Sequence, residues 1–183
     1  MSLIDTCPHC AASRPSRRAV VTALAAAAVL SAPLAAAATA DDERFMRMAL
    51  AEARRADFPF GAVIVRDGNV IARGRNLGRA RDDPTAHGEM VAIHSGLAAH
   101  GSKALRGSTL YTSGEPCAMC MGAILWCHFG RLVFAASIDQ LATRIDQIMI
   151  SSAELASRAT FSPISITGGV LADEAMALFP ARK

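Results

Sequence analysis

The feature that most constrains the fold of this chain is a pair of cysteines, Cys117 and Cys120, which follows Pro116 at the start of a predicted helix. Because they are three residues apart on a helix, their sulfurs lie on one face and can bind one metal ion together. A helix start also lowers the pKa of a thiol, which suits a metal ligand and a redox cysteine alike. The pair alone therefore allows a redox dithiol, half of a closed structural zinc site, or part of a catalytic metal site.

A third ligand from elsewhere in the chain narrows this choice. His87 lies at the start of a different predicted helix, and Glu89 follows two residues later. Three protein ligands leave one zinc position open for water, which is the arrangement of a catalytic site. Zinc lowers the pKa of that water from near 16 to roughly 7, and a neighbouring carboxylate can carry its proton to a leaving amine. We therefore predict that Glu89, reaching in from the helix end, carries protons at a zinc site whose ligands are His87 and the two cysteines.

Hydrophobic periodicity predicts that helices alternate with strands along the chain. Two β-branched runs flank the turn Asp67-Gly68-Asn69, which predicts a hairpin over residues 60–76. Asp83 is the predicted N-cap of the helix that carries His87, with Pro84 in its first turn. The predicted helices span 43–56, 82–100, 117–127, 138–148 and 172–179, and the later strands span 108–113, 131–137 and 164–170. This alternation indicates one α/β domain built as a three-layer α/β/α sandwich.

Residues 1–40 have the organisation of an export signal. The basic pair Arg17-Arg18 precedes an uncharged, mostly alanine stretch that ends in Ala38-Thr39-Ala40, a small-residue cleavage pattern. The paired arginines resemble a twin-arginine signal. We expect cleavage, a mature domain over 41–183, and an exported or periplasmic protein with no membrane association; the alternative is a cytoplasmic chain. Pro33 and the weak apolarity of alanine argue against a membrane-spanning helix.

Charge gives little sign of a polyanion partner. The chain has 19 basic and 16 acidic residues, and loss of residues 1–40 removes three arginines and one aspartate, leaving 16 against 15 and a net charge of +1. Such a balance does not favour binding of nucleic acid by bulk charge. Four arginines concentrate in one stretch and could contact phosphates, but a solvated strand-to-loop face is the simpler interpretation. They are Arg73, Arg75, Arg79 and Arg81.

The order His87-Gly88-Glu89, followed by Pro116-Cys117-Ala118-Met119-Cys120, matches the H-x-E and P-C-x-x-C signature of zinc deaminases. With the blocks FPFGAVIV, GRN and GRLVFAAS, it makes the chain similar to the cytidine-deaminase-like superfamily. The resemblance lies with the branch of guanine deaminases, tRNA adenosine deaminases and fungal-type cytosine deaminases, and it fades toward the carboxyl terminus. It implies a mixed five-stranded sheet, one zinc ion per chain with a bound water, homodimers, and removal of an exocyclic amine from a nucleobase or nucleoside.

Several residues bear on the substrate through the same resemblance. Phe60 and Trp126 look like the residues of guanine deaminases at those positions, although both could equally be core residues. Asn76 matches a family asparagine that hydrogen-bonds the base, and its amide can donate and accept. Gly88 stands where most relatives have alanine and is shared with cytosine deaminases of the fungal type. Glu115 matches a family glutamate near the site, with a role that the sequence leaves open.

We therefore expect a zinc-dependent deaminase that converts guanine to xanthine and ammonia. The alternatives are a tRNA adenosine deaminase that produces inosine, in which case tRNA is a partner, a cytosine deaminase, and a structural zinc module without activity. An exported location is at odds with tRNA, which is cytosolic. Glu89 separates the enzymes from the structural module, because a structural site does not need that carboxylate.

Overall fold

The computed structural model of the chain describes residues 38–181. The predicted export signal over residues 1–40 therefore lies almost wholly outside the described residues. At its edge, Thr39 caps the first helix: its hydroxyl accepts from the backbone N–H of Asp42, and the Asp42 carboxylate accepts from the backbone N–H of Thr39. The predicted domain start at Asp41 consequently falls inside the first helical turn.

Each predicted helix and strand has a counterpart in the structure. The helices are α1 Ala40–Ala53, α2 Gly78–Arg81, α3 Gly88–His100, α4 Ser102–Leu105, α5 Ala118–Trp126, α6 Ile138–Ala142, α7 Ser152–Arg158 and α8 Ala172–Met176. The strands are β1 Gly61–Arg66, β2 Asn69–Arg75, β3 Thr109–Gly114, β4 Arg131–Ala136 and β5 Ser165–Thr167. Three of the helices, α2, α4 and α7, are short and are not predicted by the sequence. Between residues 38 and 181, none of the helices has the length and apolar content that a membrane crossing needs.

One mixed sheet organises the described residues, with its strands in the order β2-β1-β3-β4-β5. β1 runs antiparallel to β2 and β3, whereas β3, β4 and β5 run parallel. The five-stranded mixed sheet implied by the resemblance is thus confirmed. Because of these directions, the start of β1, the end of β2 and the end of β3 meet at one edge. That edge brings together the chain around Phe60, Asn76 and Cys117.

Two apolar layers cover the sheet and form the predicted α/β/α sandwich. On one face, α1 and α8 pack in a core with residues of β1, β3 and β4, including Phe45, Leu50, Val63 and Val133. On the other face, α3 and α5 pack in a second core that includes Ile64. Helix α7 packs against α5 at the margin of this second core. The alternation of strand side chains between faces accounts for the two separate cores.

Three predicted boundaries are wrong for local reasons. The hairpin turn is Asp67-Gly68, both with positive φ, and Asn69 already begins β2. Asp83 does not cap α3, because its carboxylate accepts from the backbone N–H and hydroxyl of Thr85 in a preceding turn. The helix predicted over 138–148 ends at Ala142, and an irregular segment, residues 143–151, leads to α7, which the sequence pattern does not predict.

Close backbone packing explains two glycines beside the site. A β-carbon on Gly74 would overlap the backbone of Gly88 and Ala92, so β2 and α3 touch without side chains between them. A β-carbon on Gly88 would lie 2.8 Å from the carbonyl oxygen of Phe60. Gly88 therefore lets the start of α3 lie directly against the chain that enters β1.

Candidate metal centre and adjoining cavity

The three predicted metal ligands meet at the starts of two helices. His87 is the N-cap residue of α3, Cys117 is the N-cap residue of α5, and Cys120 lies in the first turn of α5. His87 Nδ1 lies 3.7 Å from Cys117 Sγ and 3.6 Å from Cys120 Sγ, and the three ligand atoms all lie within 4.8 Å of one another. Zn–N bonds of about 2.0 Å and Zn–S bonds of about 2.3 Å at a tetrahedral angle separate N from S by about 3.5 Å. The residues therefore fit one zinc ion with a fourth position for a non-protein ligand.

The side chains of the two N-cap residues, His87 and Cys117, lie at the ion site and do not cap their own helices. An N-cap side chain usually accepts from the backbone of its own first turn, but neither His87 nor Cys117 makes such a hydrogen bond. A hydrogen bond from Cys120 lowers the pKa of the Cys117 thiol to about 4, and the same hydrogen bond together with burial raises the pKa of Cys120. The hydrogen bond to Cys117 raises the pKa of His87. Cys117, the less buried of the two cysteines, is therefore the one whose thiol ionises more readily.

Glu89 lies beside the ligands as the second residue of α3 and is 3% exposed. Its Oε1 accepts a hydrogen bond of 3.2 Å from the hydroxyl of Thr112 on β3. Burial raises the pKa of Glu89, and hydrogen bonds from its own backbone N–H and from Thr112 oppose that rise without cancelling it. A carboxylate whose pKa is raised holds a proton more readily than an exposed one, which suits a group that accepts and returns protons. Glu89 lies in the first turn of α3, one residue after the helix begins and two residues after His87.

Two buried hydroxyls on β3 support the site, and sequence reasoning misses both. Thr112 orients Glu89 from one side of the strand. Ser113 accepts from the backbone N–H of Gly61 at 3.0 Å and donates to the carbonyl oxygen of Pro59 at 3.2 Å, which fastens the chain on both sides of Phe60. The signal in the sequence is two consecutive hydroxyl residues in a strand that is buried on both faces.

A cavity of about 560 Å³ opens beside the metal ligands. His87 and Cys117 line it together with the aromatic rings of Phe58 and Phe60. The Phe60 ring lies parallel to the His87 imidazole, with 6.4 Å between ring centroids, and the edge of Phe179 packs on Phe60 at 5.2 Å. Phe60 is therefore a fixed apolar surface of the cavity. The irregular segment contributes residues 145–148 to the lining.

Asn76 lines the same cavity, and the structure restricts what it can offer. Its Oδ1 accepts a hydrogen bond of 3.1 Å from the backbone N–H of Gly78 at the start of α2. The side chain is 8% exposed, so this bond also fixes its orientation. The amide N–H groups are left for a ligand, and Asn76 is a donor here where the sequence allowed both donor and acceptor.

Trp126 is not among the residues that line the cavity. Its side chain is 73% exposed, and its ring stacks on Phe161 with 4.6 Å between centroids. The alternative that Trp126 fills the core is therefore wrong. The tryptophan lies at the end of α5, whereas the two cysteine ligands lie at its start.

Glu115 is buried between β3 and α5, and both of its carboxylate oxygens are engaged. Oε2 accepts from the backbone N–H of Ile138 at 2.9 Å, and Oε1 accepts from the backbone N–H of Ser152 at 2.7 Å. These donors are the first residues of α6 and α7. Glu115 therefore does not cap α5, the helix that follows it in sequence. Its carboxylate instead accepts from the first residues of two later helices.

Comparison with known proteins gives one consistent family. Residues 39–136 match the cytidine and deoxycytidylate deaminase zinc-binding region. The chain is 46% identical over 101 residues to the tRNA-specific adenosine deaminase of Haemophilus influenzae, covering 52% of this chain and 58% of that protein. It is 49% identical over 78 residues to the guanine deaminase of Bacillus subtilis, covering 43% of this chain and 50% of that protein. A solved structure from studies of A-to-I editing by tRNA A34 deaminases matches with a TM-score of 0.66 and 33% identity, covering 74% of this chain and 99% of that one.

The matched region includes the metal ligands and Glu89, and it ends before the irregular segment, residues 143–151, that lines the cavity. It covers more than half of the 183 residues, while the chain spans about half the length of the two curated relatives, 58% and 50%. The matched region is a zinc-binding region, and the geometry of the three ligands suits a zinc ion. The chain therefore belongs to the cytidine and deoxycytidylate deaminase zinc-binding family, with His87, Cys117 and Cys120 placed to bind zinc.

Proposed function

We propose that the protein is a zinc-dependent hydrolytic deaminase that converts guanine and water to xanthine and ammonia. A zinc ion bound by His87 and the two cysteines supplies Lewis acidity, which makes water a nucleophile at neutral pH. Membership of the family supports the reaction type. So does Glu89, a buried carboxylate beside the ligands with a raised pKa, which a structural zinc module would not need.

Glu89 performs the proton transfers in this proposal. Water adds to ring carbon C2, and Glu89 accepts the proton that the water loses. Glu89 delivers this proton to ring nitrogen N3, which takes up the electron pair of the C2–N3 double bond. The carboxylate then carries the remaining hydroxyl proton to the exocyclic nitrogen, the bond between C2 and that nitrogen breaks with its electron pair going to the nitrogen, ammonia leaves, and a carbonyl remains at C2. Because the same carboxylate accepts and then donates, a pKa raised toward neutrality serves both steps. The Thr112 hydroxyl keeps the carboxylate oriented meanwhile.

The cavity supports binding of a single planar base. Its volume of about 560 Å³ lies within the range of small-molecule sites. The rings of Phe58 and Phe60 provide flat apolar surfaces on which a base can stack. Asn76 offers N–H donors to a carbonyl oxygen or ring nitrogen at the edge of the base.

Asp146, which lines the cavity from the irregular segment, is the observation that favours guanine over adenosine. Guanine as a free base carries ring N–H groups, from which a carboxylate accepts. The base of an adenosine within RNA has no ring N–H, and its only donor is the amine that leaves. A carboxylate at this place also repels the phosphates of an RNA backbone. A base with its own N–H groups is therefore the better complement to this lining.

Ammonia release from guanine, adenine, cytosine, their nucleosides and a tRNA stem-loop tests the proposal. We expect guanine to be converted fastest, and Asp146→Asn to lower kcat/KM for guanine by about tenfold or more, because a charged hydrogen bond is lost. Asp139→Asn, which removes an exposed carboxylate from α6, is the matched control and should leave kcat/KM unchanged. No turnover of guanine would refute the substrate, and wild-type kcat/KM in Asp146→Asn would refute the role of that carboxylate.

Deamination of tRNA adenosine is the second candidate. It is supported by the 46% identity to the Haemophilus influenzae enzyme and by Arg79 and Arg81, which are exposed on α2 close to Asn76. This candidate requires stem-loop binding that weakens steeply with salt and that falls when both arginines become glutamine. Inosine formation in the stem-loop, without turnover of free guanine, would establish it in place of guanine deamination.

We also propose that the protein is an exported homodimer. The exposed stack of Trp126 on Phe161, which is 48% exposed, supports burial against a second copy. Light scattering of wild type and Trp126→Ala tests the dimer, and a monomeric wild type would contradict it.

Because Thr39 caps α1, we place the start of the mature domain at or before Thr39 instead of at Asp41. Amino-terminal sequencing after cell fractionation tests the export, and an intact residue 1 in the cytosol would contradict it.

A further inference from the structure

Glu115 joins the metal half of the site to the part of the chain that lies beyond the matched family region. It directly precedes Pro116 and is two residues from the ligand Cys117. Its backbone N–H donates to the carbonyl oxygen of Ala136 at 2.7 Å, which anchors it where β3 and β4 end. From this anchored backbone, the side chain reaches into the carboxyl-terminal part of the chain.

The two hydrogen bonds of the Glu115 carboxylate bracket the irregular segment. Ile138 begins α6, which leads directly into residues 143–151, and Ser152 begins α7, which directly follows them. One carboxylate therefore accepts from both sides of the segment, at 2.9 Å and 2.7 Å. Residues 143–151 have no helix or strand of their own, so the distance between their two ends depends on this shared acceptor.

Burial makes this acceptor hard to replace. Glu115 is 7% exposed, so water cannot readily satisfy the two backbone N–H groups if the carboxylate is lost. A hydrogen bond to a charged group contributes more than a neutral one, and an unsatisfied buried N–H carries a further penalty. Loss of the carboxylate would therefore release the segment sooner than it would unfold the sheet, since the bonds lie at the ends of two short helices.

The bracketed segment is the one that lines the cavity. Ile145 packs against the core on the α1 side, and residues 145–148 line the cavity that also contains His87 and Cys117. We propose that Glu115 is a positioning residue: it fixes residues 143–151 against the cavity and thereby sets the affinity and selectivity for the base. This inference rests on the proposed deaminase function for its kinetic readout, but the geometry it invokes does not.

Glu115→Gln tests the inference in the full, zinc-loaded chain. Glutamine keeps the shape and one acceptor oxygen, but it turns an amide nitrogen toward one of the two backbone N–H groups. The matched control is Glu154→Gln, which removes an exposed carboxylate from the first turn of α7 and leaves both bracketing hydrogen bonds intact. Ser152→Pro is a second variant, because proline at the first helical position removes one donor while suiting the backbone there.

Two readouts are expected to change together. Amide hydrogen exchange across residues 143–151 should become at least about tenfold faster in Glu115→Gln and in Ser152→Pro, corresponding to one lost charged hydrogen bond. The KM for the base should rise by about tenfold with little change in kcat or zinc content, since Glu115 touches neither the metal nor the reacting atoms. The ratio of kcat/KM between guanine and other bases should fall, and Glu154→Gln should match wild type in every measurement.

The exchange measurement needs no substrate, so it separates this inference from the proposed function. If wild type does not convert guanine, the guanine proposal fails, and KM is then compared with the base or stem-loop that it does convert. Unchanged exchange across 143–151 in both bracket variants would overturn the inference. Faster exchange with unchanged KM and selectivity would overturn it as well, because the segment would then have no part in recognition.

Discussion

Two adjacent residues of β3 each donate a hydroxyl hydrogen bond to a buried carboxylate, on opposite faces of the sheet. Tyr111 donates to Asp42 at 3.0 Å on the α1 side, and Thr112 donates to Glu89 at 3.2 Å on the side of the metal ligands. The two carboxylates are 1% and 3% exposed, so burial alone does not distinguish them. The number of hydrogen-bond donors around each carboxylate does distinguish them.

Asp42 is surrounded by donors. Burial would raise its pKa, but hydrogen bonds from Arg131, Thr39 and Tyr111 outweigh burial and lower the pKa to about 2. Arg131 binds it through both terminal nitrogens, at 2.7 Å and 3.0 Å. Glu89 takes part in none of the salt bridges among the described residues, and burial raises its pKa. A buried carboxylate with a full set of donors holds structure together, whereas one with few donors can exchange protons.

The sharpest test of this comparison is Glu89→Gln. We expect a loss of kcat by about three to four orders of magnitude, since the residue that moves protons is removed. Zinc content and the melting temperature should stay at the wild-type level or rise, because a poorly compensated buried charge disappears. Ammonia release, metal analysis and thermal unfolding measure these three quantities. Full activity in this variant would refute the role of Glu89 and favour a structural zinc module.

Asp42→Asn should give the opposite pattern. It leaves Arg131 without its anionic partner in a partly buried place, so we expect a loss of about 3 kcal/mol in the free energy of unfolding. The kcat per folded molecule should change little, since Asp42 lies on the other face of the sheet from the metal ligands. Denaturant unfolding and active-site titration measure the two effects. A large fall in kcat with unchanged stability would contradict the division of roles.

Acid should destabilise the protein through Asp42. The pKa of this group is about 2 in the folded state and 3.8 without its partners, so the unfolded chain binds the proton more tightly. The stabilisation is therefore complete above about pH 4 and is lost as the pH falls toward 2, by about 2 kcal/mol in all. Denaturant unfolding between pH 5 and pH 2 should show this slope in wild type. If Asp42→Asn kept the same slope, another carboxylate would be responsible.

The smallest expected effect is that of Thr112→Val, with Tyr111→Phe as its matched control. Each removes one hydroxyl from β3 and should cost about 1 kcal/mol of unfolding free energy. The Thr112 hydrogen bond lowers the pKa of Glu89, so its loss should raise that pKa further. Because Glu89 must be deprotonated to accept a proton from water, the acidic limb of kcat/KM against pH should move to higher pH. Only the Thr112 variant should show this movement.

The part of the site that the sequence predicts is the part carried by local spacing. His87, Glu89 and the cysteine pair follow from motif order, and the alternation of strands and helices places them in one α/β sandwich. Thr112 and Ser113 form a pair of consecutive hydroxyl residues in a buried strand, but that pattern does not say what the hydroxyls bind. Their partners, Glu89 and the backbone around Phe60, lie far away in sequence.

The errors have a common cause, which is competition between local signals and tertiary contacts. Asp83 has the features of an N-cap, but its side chain is occupied by Thr85, and α3 begins where Gly88 can approach the Phe60 backbone. Helix α7 is too short for periodicity to reveal, and its first N–H is satisfied by Glu115 from a distant strand end. Trp126 resembles a substrate residue by position alone, and position along a helix does not determine exposure.

Gly88, which directly follows His87, lies against the backbone of Gly74 with no side chains between the two chain segments. Substitutions that repack either core change no side chain at this backbone contact. The position of His87 therefore does not depend on how the cores are packed. The irregular segment over 143–151, in contrast, lies between α6 and α7, whose first residues donate to Glu115, and apart from Ile145 its side chains take no part in either core. A lineage, or a laboratory library confined to that segment, could therefore explore new bases on an unaltered catalytic half.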